Sequence, residues 1–482
     1  MISLKSISKF VSAVGIIIFL AFLIPVFIGI YYHEDIQSHL FAILALLFAN
    51  ALVFWSLRDY KFSLSIKESI IAVNLIWILL GIGGALPLIL RTGIDFSSGF
   101  FEAISGFTTT GATIYGHIES LPKSILFHRS LMHWIGGMGI IVLGVGLFPL
   151  INPSGSLSLF RAESTGISID KVTPKIKNTA NKLWGVYFLI TITNILCLKF
   201  FGMNWFDAIN HAFSTVSTGG FSTKDDSFAY FSNDDGIIWT TIFFMIISGI
   251  NFLAHIKFLS GDYKSYRSEE VKWYLIILFI LSLALTFSHY NSNSMALYDV
   301  FKHSAFTITS IMTSTGFVSV DYSTWSHFSI ALVLIAMITG ANAGSTAGGA
   351  KIIRYIIYFK NISIEIRRSL KPESIASIFI DDKPIKNSVI SAIFGFFSLF
   401  ILTIFSVMLY LYARGYDEMT SISTAMTIVG NTGPGFSLTG PVNNYAFFSW
   451  YDKIILSFAM IIGRLECYTV FILLSKSFWK RF

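Results

Sequence analysis

Phe107-Thr108-Thr109-Thr110-Gly111-Ala112 is the stretch that decides how this chain folds. It follows Asp95-Phe96 and a mildly apolar segment with the length of a short helix. The same pattern returns three times. It reads Asp207-Ala208 … Val216-Ser217-Thr218-Gly219-Gly220, then Asp299-Val300 … Thr313-Ser314-Thr315-Gly316-Phe317, then Asp417-Glu418 … Gly430-Asn431-Thr432-Gly433-Pro434. Taking Gly111, Gly219, Gly316 and Gly433 as equivalents, the copies lie 108, 97 and 117 residues apart, too far for a solenoid repeat. One Thr-Gly alone reads as an ordinary helix C-cap. Four copies at one topological position call for a shared function.

Outward from each copy lie long apolar segments. A bilayer core of about 30 Å needs about 20 helical residues. Ten segments qualify: Val11–Ile30, His39–Leu57, Ile70–Leu90, Ser124–Leu150, Leu183–Phe201, Gly236–Leu259, Val271–Phe287, Phe328–Phe359, Val389–Tyr412 and Ile454–Phe478. Each repeat then reads span, short helix, Thr-Gly loop, span, and two further spans precede the first. The first segment is not a cleaved signal peptide. Its apolar run is too long, and charged Tyr31-Tyr32-His33-Glu34-Asp35 stands where small residues should be.

Composition agrees. The 482 residues are 54% hydrophobic and 13% charged, against about 25% charged in soluble domains, which argues against a soluble enzyme or a nucleic-acid binder. The net charge of +7 is mild and unevenly placed. Lys and Arg gather on alternate connections, as at Arg58, Lys61 and Lys67, at Arg161, Lys171 and Lys175, and from Lys351 to Lys386. The positive-inside rule makes those connections and both termini cytoplasmic. Cys197 and Cys467 are far apart in apolar runs, so neither a disulfide framework nor metal-ligand spacing exists.

The loop chemistry suits a cation. An ion entering a membrane must shed water, and inward-facing backbone carbonyls can replace it. Glycine permits the required backbone, and small hydroxyl side chains support it without filling the pore. Each short helix would aim its negative C-terminal end at the ion. Irregular backbone at membrane depth is tolerated where it lines such a cavity.

At these residues the chain resembles the Trk/Ktr/HKT superfamily of potassium transporters, most of all its Trk-H-type bacterial members. The matching stretches are Phe101–Gly111, Trp134-Ile135-Gly136-Gly137-Met138-Gly139, Gly344-Ser345-Thr346-Ala347-Gly348-Gly349 and Gly463-Arg464-Leu465-Glu466. The resemblance implies an all-α membrane protein, with four span–pore-helix–span repeats around one pore and two extra N-terminal helices. The divisions are 1–62, 63–165, 166–265, 266–386 and 387–482. The family's potassium-binding filter positions carry over to Thr109, Thr110 and Gly111, to Ser217, Thr218 and Gly219, to Ser314, Thr315 and Gly316, and to Asn431, Thr432 and Gly433. Some members that pass sodium have serine for the first filter glycine. Here all four are glycine, which favours potassium. Asn431 and Pro434 set the fourth loop apart. The resemblance also implies a homodimer in the bacterial inner membrane and a separate cytosolic ring of nucleotide-binding subunits. The chain itself is expected to bind no cofactor beyond the transported potassium, and no nucleic acid.

Two features inside the spans stand out. Thr339-Gly340-Ala341-Asn342-Ala343-Gly344-Ser345-Thr346-Ala347-Gly348-Gly349-Ala350 interrupts its span, since glycine costs up to about 1 kcal/mol in a helix. It is either a close helix-packing face or, as the resemblance favours, a flexible gate containing Gly344, Ser345, Thr346, Gly348 and Gly349. Arg464 lies about ten residues into the last span, where a charge costs about 3 kcal/mol. A local pair with Glu466 suits helical spacing poorly, so Arg464 is expected to face the cavity and bond the gate loop's carbonyls. Lys351 and Arg354 are either an ordinary basic span end or part of gating. His128, Arg129 and His133 read as structural. Arg367-Arg368-Ser369-Leu370-Lys371 suits partner docking or lipid headgroups. No enzyme constellation, dinucleotide fingerprint or P-loop is present. A gated passive channel and a sodium- or proton-coupled symporter both remain open.

Overall fold

The computed structural model describes residues 2–60, 64–151, 176–290, 296–372 and 377–480, with the side chains of 66, 140–151, 176–179 and 388 left aside. Lys61, Arg161, Lys171 and Lys175, and the divisions at 62/63 and 165/166, therefore lie outside the described residues. The molecule is helical apart from one two-stranded hairpin, Phe379–Ile380 with Lys383–Pro384. Its polarity is inverted relative to a soluble protein. Phe27, Phe41, Phe200 and Phe279 face outward, while the Ser and Thr residues of the four loops are buried. That is the arrangement for a hydrocarbon surround.

An N-terminal pair comes first: Leu4–Tyr31, slightly broken at Phe22, and Gln37–Ser56. Four units follow. Each has a long first span: Ile66–Thr92, Ile176–Phe200, Glu269–Tyr290 and Asn387–Ala413. Each then has a short helix: Phe96–Phe107, Trp205–Val216, Leu297–Met312 and Glu418–Gly430. Hydrogen-bonding side chains start three of these helices. Asp95 accepts from Ser98 N–H, Asn204 from Asp207 N–H and Asp417 from Thr420 N–H, each cap worth about 1 kcal/mol. Thus Asp95 and Asp417 are caps, whereas Asp207 and Asp299 sit inside the first turn.

Every second span is broken. Lys123–Ile151 kinks at Gly139 with φ 49°. Asp235–Ser248 and Phe252–Leu259 meet at 96°, and Trp450–Arg464 and Tyr468–Leu474 at 114°. His327–Thr339 and Ile352–Leu370 are separated by an irregular loop. The sequence reading had only this third break; the other three correct it. In the first and fourth units a glycine just before the break approaches the short helix closely. A Cβ on Gly136 would lie 2.0 Å from the Phe107 carbonyl oxygen, and one on Gly463 would lie 2.1 Å from that of Val429.

Candidate ion pathway

The short helices end in four loops of one shape. A residue with left-handed φ ends each short helix: Thr109 at 54°, Thr218 at 55° and Ser314 at 55° just after the helix cap, and Asn431 at 54° as the cap itself. Two residues later comes a left-handed glycine: Gly111 at 80°, Gly220 at 84°, Gly316 at 78° and Gly433 at 95°. Left-handed φ at a β-branched threonine costs on the order of 1–3 kcal/mol and persists only where the surroundings impose it. The hydroxyls preceding these residues hold the turn. Thr108, Ser217 and Thr313 each donate to a carbonyl four residues back at 2.7 Å, those of Ile104, Phe213 and Thr309.

This geometry corrects the second loop by one residue. Ser217 matches Thr108 and Thr313, Thr218 matches Thr109, and the glycine position belongs to Gly220 rather than Gly219. Gly219 stands where the other loops have Thr110, Thr315 and Thr432. The reason is the imidazole of His133, bonded to the Gly106 carbonyl at 2.7 Å, which fills the space a side chain there would need. The signal in the sequence was the aromatic residue following the glycine, Phe221 and Phe317.

The four loops close into a ring. A Cβ on Gly111 would lie 2.2 Å from the Gly219 carbonyl oxygen, one on Gly220 2.1 Å from that of Thr315, one on Gly316 2.2 Å from that of Thr432, and one on Gly433 2.5 Å from that of Thr110. Each glycine thus abuts the next loop's backbone, in cyclic order. Asn431 keeps the common backbone, and its amide crosses to the first loop, donating to Thr110 Oγ1 at 2.9 Å. On one side of the ring lies a cavity of about 100 Å³ lined by all four glycines, with Arg129 and Lys224 among its walls. Burial alone would lower the Lys224 pKa, but its hydrogen bond to Glu119 and the charge of Asp207 outweigh burial and hold it above the ordinary value.

On the other side lies the loop Gly340–Ala350. It is irregular, with positive φ at Gly340, Gly344, Gly349 and Lys351, which removes the helix-packing alternative. Gly348 N–H donates to Ser314 Oγ at 2.5 Å, directly against the ring. Thr346 Oγ1 donates to the Val216 carbonyl at 3.0 Å, and Ser345 Oγ bonds within the loop to Asn342. Two backbone bonds tie the loop to the second unit's break: Asn342 N–H to Gly249 O at 3.1 Å and Phe252 N–H to Gly344 O at 3.0 Å. Glu270 accepts from Ala343 N–H at 2.6 Å. Sequence reasoning missed this acid, which sits at a span end and looks like a helix-start residue.

Arg464 reaches the loop as expected and also further. It donates to the Thr346 carbonyl at 2.9 Å, to Gly136 at 2.8 Å and to Gly137 at 3.2 Å, joining three units. Glu466 pairs with Arg354, and Lys351 Nζ donates to the Ala347 carbonyl, so both bases turn inward. His128 bonds the Gly84 carbonyl at 3.1 Å, and Arg129 pairs with buried Glu102 at 2.8 Å. Among the described residues no group of His, Cys, Asp and Glu could hold a metal ion.

Pore loops from four span pairs meeting around one axis, inside an apolar helical shell, define a membrane transport protein for ions. The chain belongs to the TrkH family of cation transport proteins, which it matches over residues 36–481. It is a transporter and not an enzyme. It is 36% identical over 442 residues to the Trk system potassium uptake protein TrkH of Escherichia coli K12, covering 89% of this chain and 90% of that one. It is 32% identical to the TrkH of Halomonas elongata, covering 99% and 100%. The crystal structure of the potassium transporter TrkH from Vibrio parahaemolyticus superposes with a TM-score of 0.89 at 33% identity, covering 99% of each chain.

Proposed function

We propose that this protein takes up potassium through a gated, channel-like pore. The observation that carries the reading is the closed ring in which each left-handed glycine abuts the next loop's carbonyl. Carbonyls held in such a ring can substitute for the hydration shell of a monovalent cation. The ligand set is Thr109, Thr110 and Gly111, Thr218, Gly219 and Gly220, Ser314, Thr315 and Gly316, and Asn431, Thr432 and Gly433. The helix ends behind them add negative potential. Each loop offers few carbonyls, so discrimination against rubidium and sodium is modest.

Gly340–Ala350 is the gate, and the Arg464 guanidinium beside it repels cations while the loop is in place. The basic connections face the cytoplasm, with both termini, in the bacterial inner membrane. The chain works as a homodimer with one pore per protomer and binds no cofactor of its own. A cytosolic nucleotide-binding ring regulates it. That partner is supported by the lack of any folded ligand-binding domain in the connection after Leu370, which holds only a short hairpin among its described residues. Potassium and sodium flux into liposomes, with and without an imposed proton gradient, tests the reading. Potassium flux that is independent of the proton gradient and saturable supports a channel. Flux that requires the gradient makes it a proton-coupled symporter, and no flux refutes transport.

A further inference from the structure

Behind the ring, one pair of charges is buried almost completely. Glu102 lies on the first short helix and Arg129 on the second span of the same unit, with side-chain exposures of 0% and 1%. Burying two charges is costly unless every lone pair and proton finds a partner. Here they do. Glu102 Oε1 accepts from Arg129 Nε at 2.8 Å and from Thr113 Oγ1 at 3.0 Å, while Oε2 accepts from Ile114 N–H at 2.8 Å. Arg129 also donates to Thr113 Oγ1 at 3.0 Å and to the Ser222 carbonyl at 3.4 Å, and its guanidinium lies 4.1 Å over the Phe221 ring.

Thr113 and Ile114 follow the first filter glycine, and Phe221 and Ser222 follow the second. The pair therefore bolts the outgoing strands of loops one and two to each other. Ser222 passes the link on, since its hydroxyl is bonded to His211 at 2.9 Å. His211 stands nine residues before Gly220, as Glu102 stands nine before Gly111. In the third and fourth units that position holds Thr307 and Thr424, and Thr424 makes a neutral hydroxyl bond to Thr439. Nor does the fourth unit repeat Arg129. Counting from the matched glycines Gly136 and Gly463, its counterpart in the fourth unit is Leu456.

Resting on the filter reading above, we propose that Glu102 and Arg129 are specificity-determining positioning residues. They fix the separation of the first and second loops, so that this half of the ring holds its size while the other half, braced by neutral groups, yields. A ring that shrinks freely closes around a smaller dehydrated ion, and one braced on two sides does not. The pair touches no ion itself. Charge-assisted bonds with fixed directions suit this role better than hydroxyls do.

The test is the potassium-to-sodium flux ratio of the full-length purified chain in liposomes. Glu102→Gln keeps an acceptor for Ile114 N–H but removes the charge, and the ratio should fall by about tenfold, equivalent to about 1.4 kcal/mol. Arg129→Lys keeps the charge but loses the fork, so its ratio should fall less. Should Glu102→Gln fail to fold, the charge-neutral Glu102→Gln/Arg129→Gln variant and Arg129→Lys carry the test. A merely structural pair would lower protein yield and total flux while leaving the ratio of the surviving protein unchanged, and that result overturns the proposal. Gly220→Ala serves as the control. If it shifts the ratio while the pair variants do not, only this inference fails. If neither shifts it, the filter reading fails as well.

Discussion

Gly220→Ala and Gly219→Ala together test the backbone register of the second loop. At Gly220 the new methyl would lie 2.1 Å from the Thr315 carbonyl oxygen, where an ordinary C···O approach is about 3.3 Å. The oxygen has to retreat by about 1.2 Å, and φ 84° adds about 1–2 kcal/mol of strain for a residue with a Cβ. Because the obstruction is backbone of the neighbouring loop, no side-chain substitution relieves it. At Gly219 the obstruction is different. The methyl would lie 2.4 Å from the His133 ring, which is a side chain and can be trimmed. The assay is a double-mutant cycle read as the potassium-to-sodium flux ratio in liposomes. Gly220→Ala should lower the ratio about tenfold or more, equivalent to about 1.4 kcal/mol, with or without His133→Ala. Gly219→Ala should be damaging alone and substantially rescued by His133→Ala. Rescue at Gly220 by His133→Ala, or a Gly220→Ala protein with an unaltered ratio, would falsify the register and the carbonyl ring with it.

Arg464→Ala removes three donors from the region beneath the ring and should raise basal potassium leak in the absence of any partner; an unchanged leak removes its blocking role. Glu270→Ala deletes the side-chain acceptor for Ala343 N–H and should also raise leak, with Glu270→Gln close to the parent because an amide oxygen can still accept; equal leak in both variants rules out a tether. Lys224 has a raised pKa, so its stabilisation is fully present below the unfolded lysine value of about 10.4 and is lost only as pH climbs through the higher folded value. The destabilisation caused by Lys224→Gln, measured by thermal melting, should therefore be the same at about pH 7 and pH 9, and a marked decrease at the higher value would contradict the assignment.

The ten apolar segments and the four Thr-Gly loops were legible because both are local patterns. Span length follows from bilayer thickness, and a loop of glycine and hydroxyl residues keeps its composition wherever it occurs. What escaped depends on contacts across units. Gly219 and Gly220 cannot be ordered from their own loop, since the choice is made by His133 on another helix. The breaks at Gly139, Gly249–Asn251 and Leu465–Cys467 lie in continuous apolar runs. Hydropathy does not register a bend beside a pore-helix carbonyl packed on Gly136 or Gly463. Arg464 was legible as an outlier because charge inside a span is expensive. Glu270 was not, because acids at helix starts are commonplace, and the partner of Glu102, midway along its short helix, is on another helix. Arg354 stayed open in the sequence between an ordinary span end and a gating role. Its partner Glu466 is brought near only by the bend that follows Arg464.

The irregular loop Gly340–Ala350 is the longest of four breaks at one position in the repeat. In the first and fourth units a glycine just before the break packs against a carbonyl in the last turn of its own unit's short helix, Phe107 or Val429. Three units turn within one to three residues: Gly139, Gly249–Asn251 and Leu465–Cys467. In the third unit the turn is expanded to Gly340–Lys351, and the added residues reach the ring at Ser314 and the second unit's break at Gly249. The break leaves His327–Thr339 and Ile352–Leu370 as separate helices joined by this loop. The loop's restraints come from elsewhere, from Gly249 and Gly344 backbone bonds, Glu270, Ser314 and Arg464. A loop with few internal hydrogen bonds is held by its neighbours, so a displacement of any of those neighbours weakens its grip on the ring.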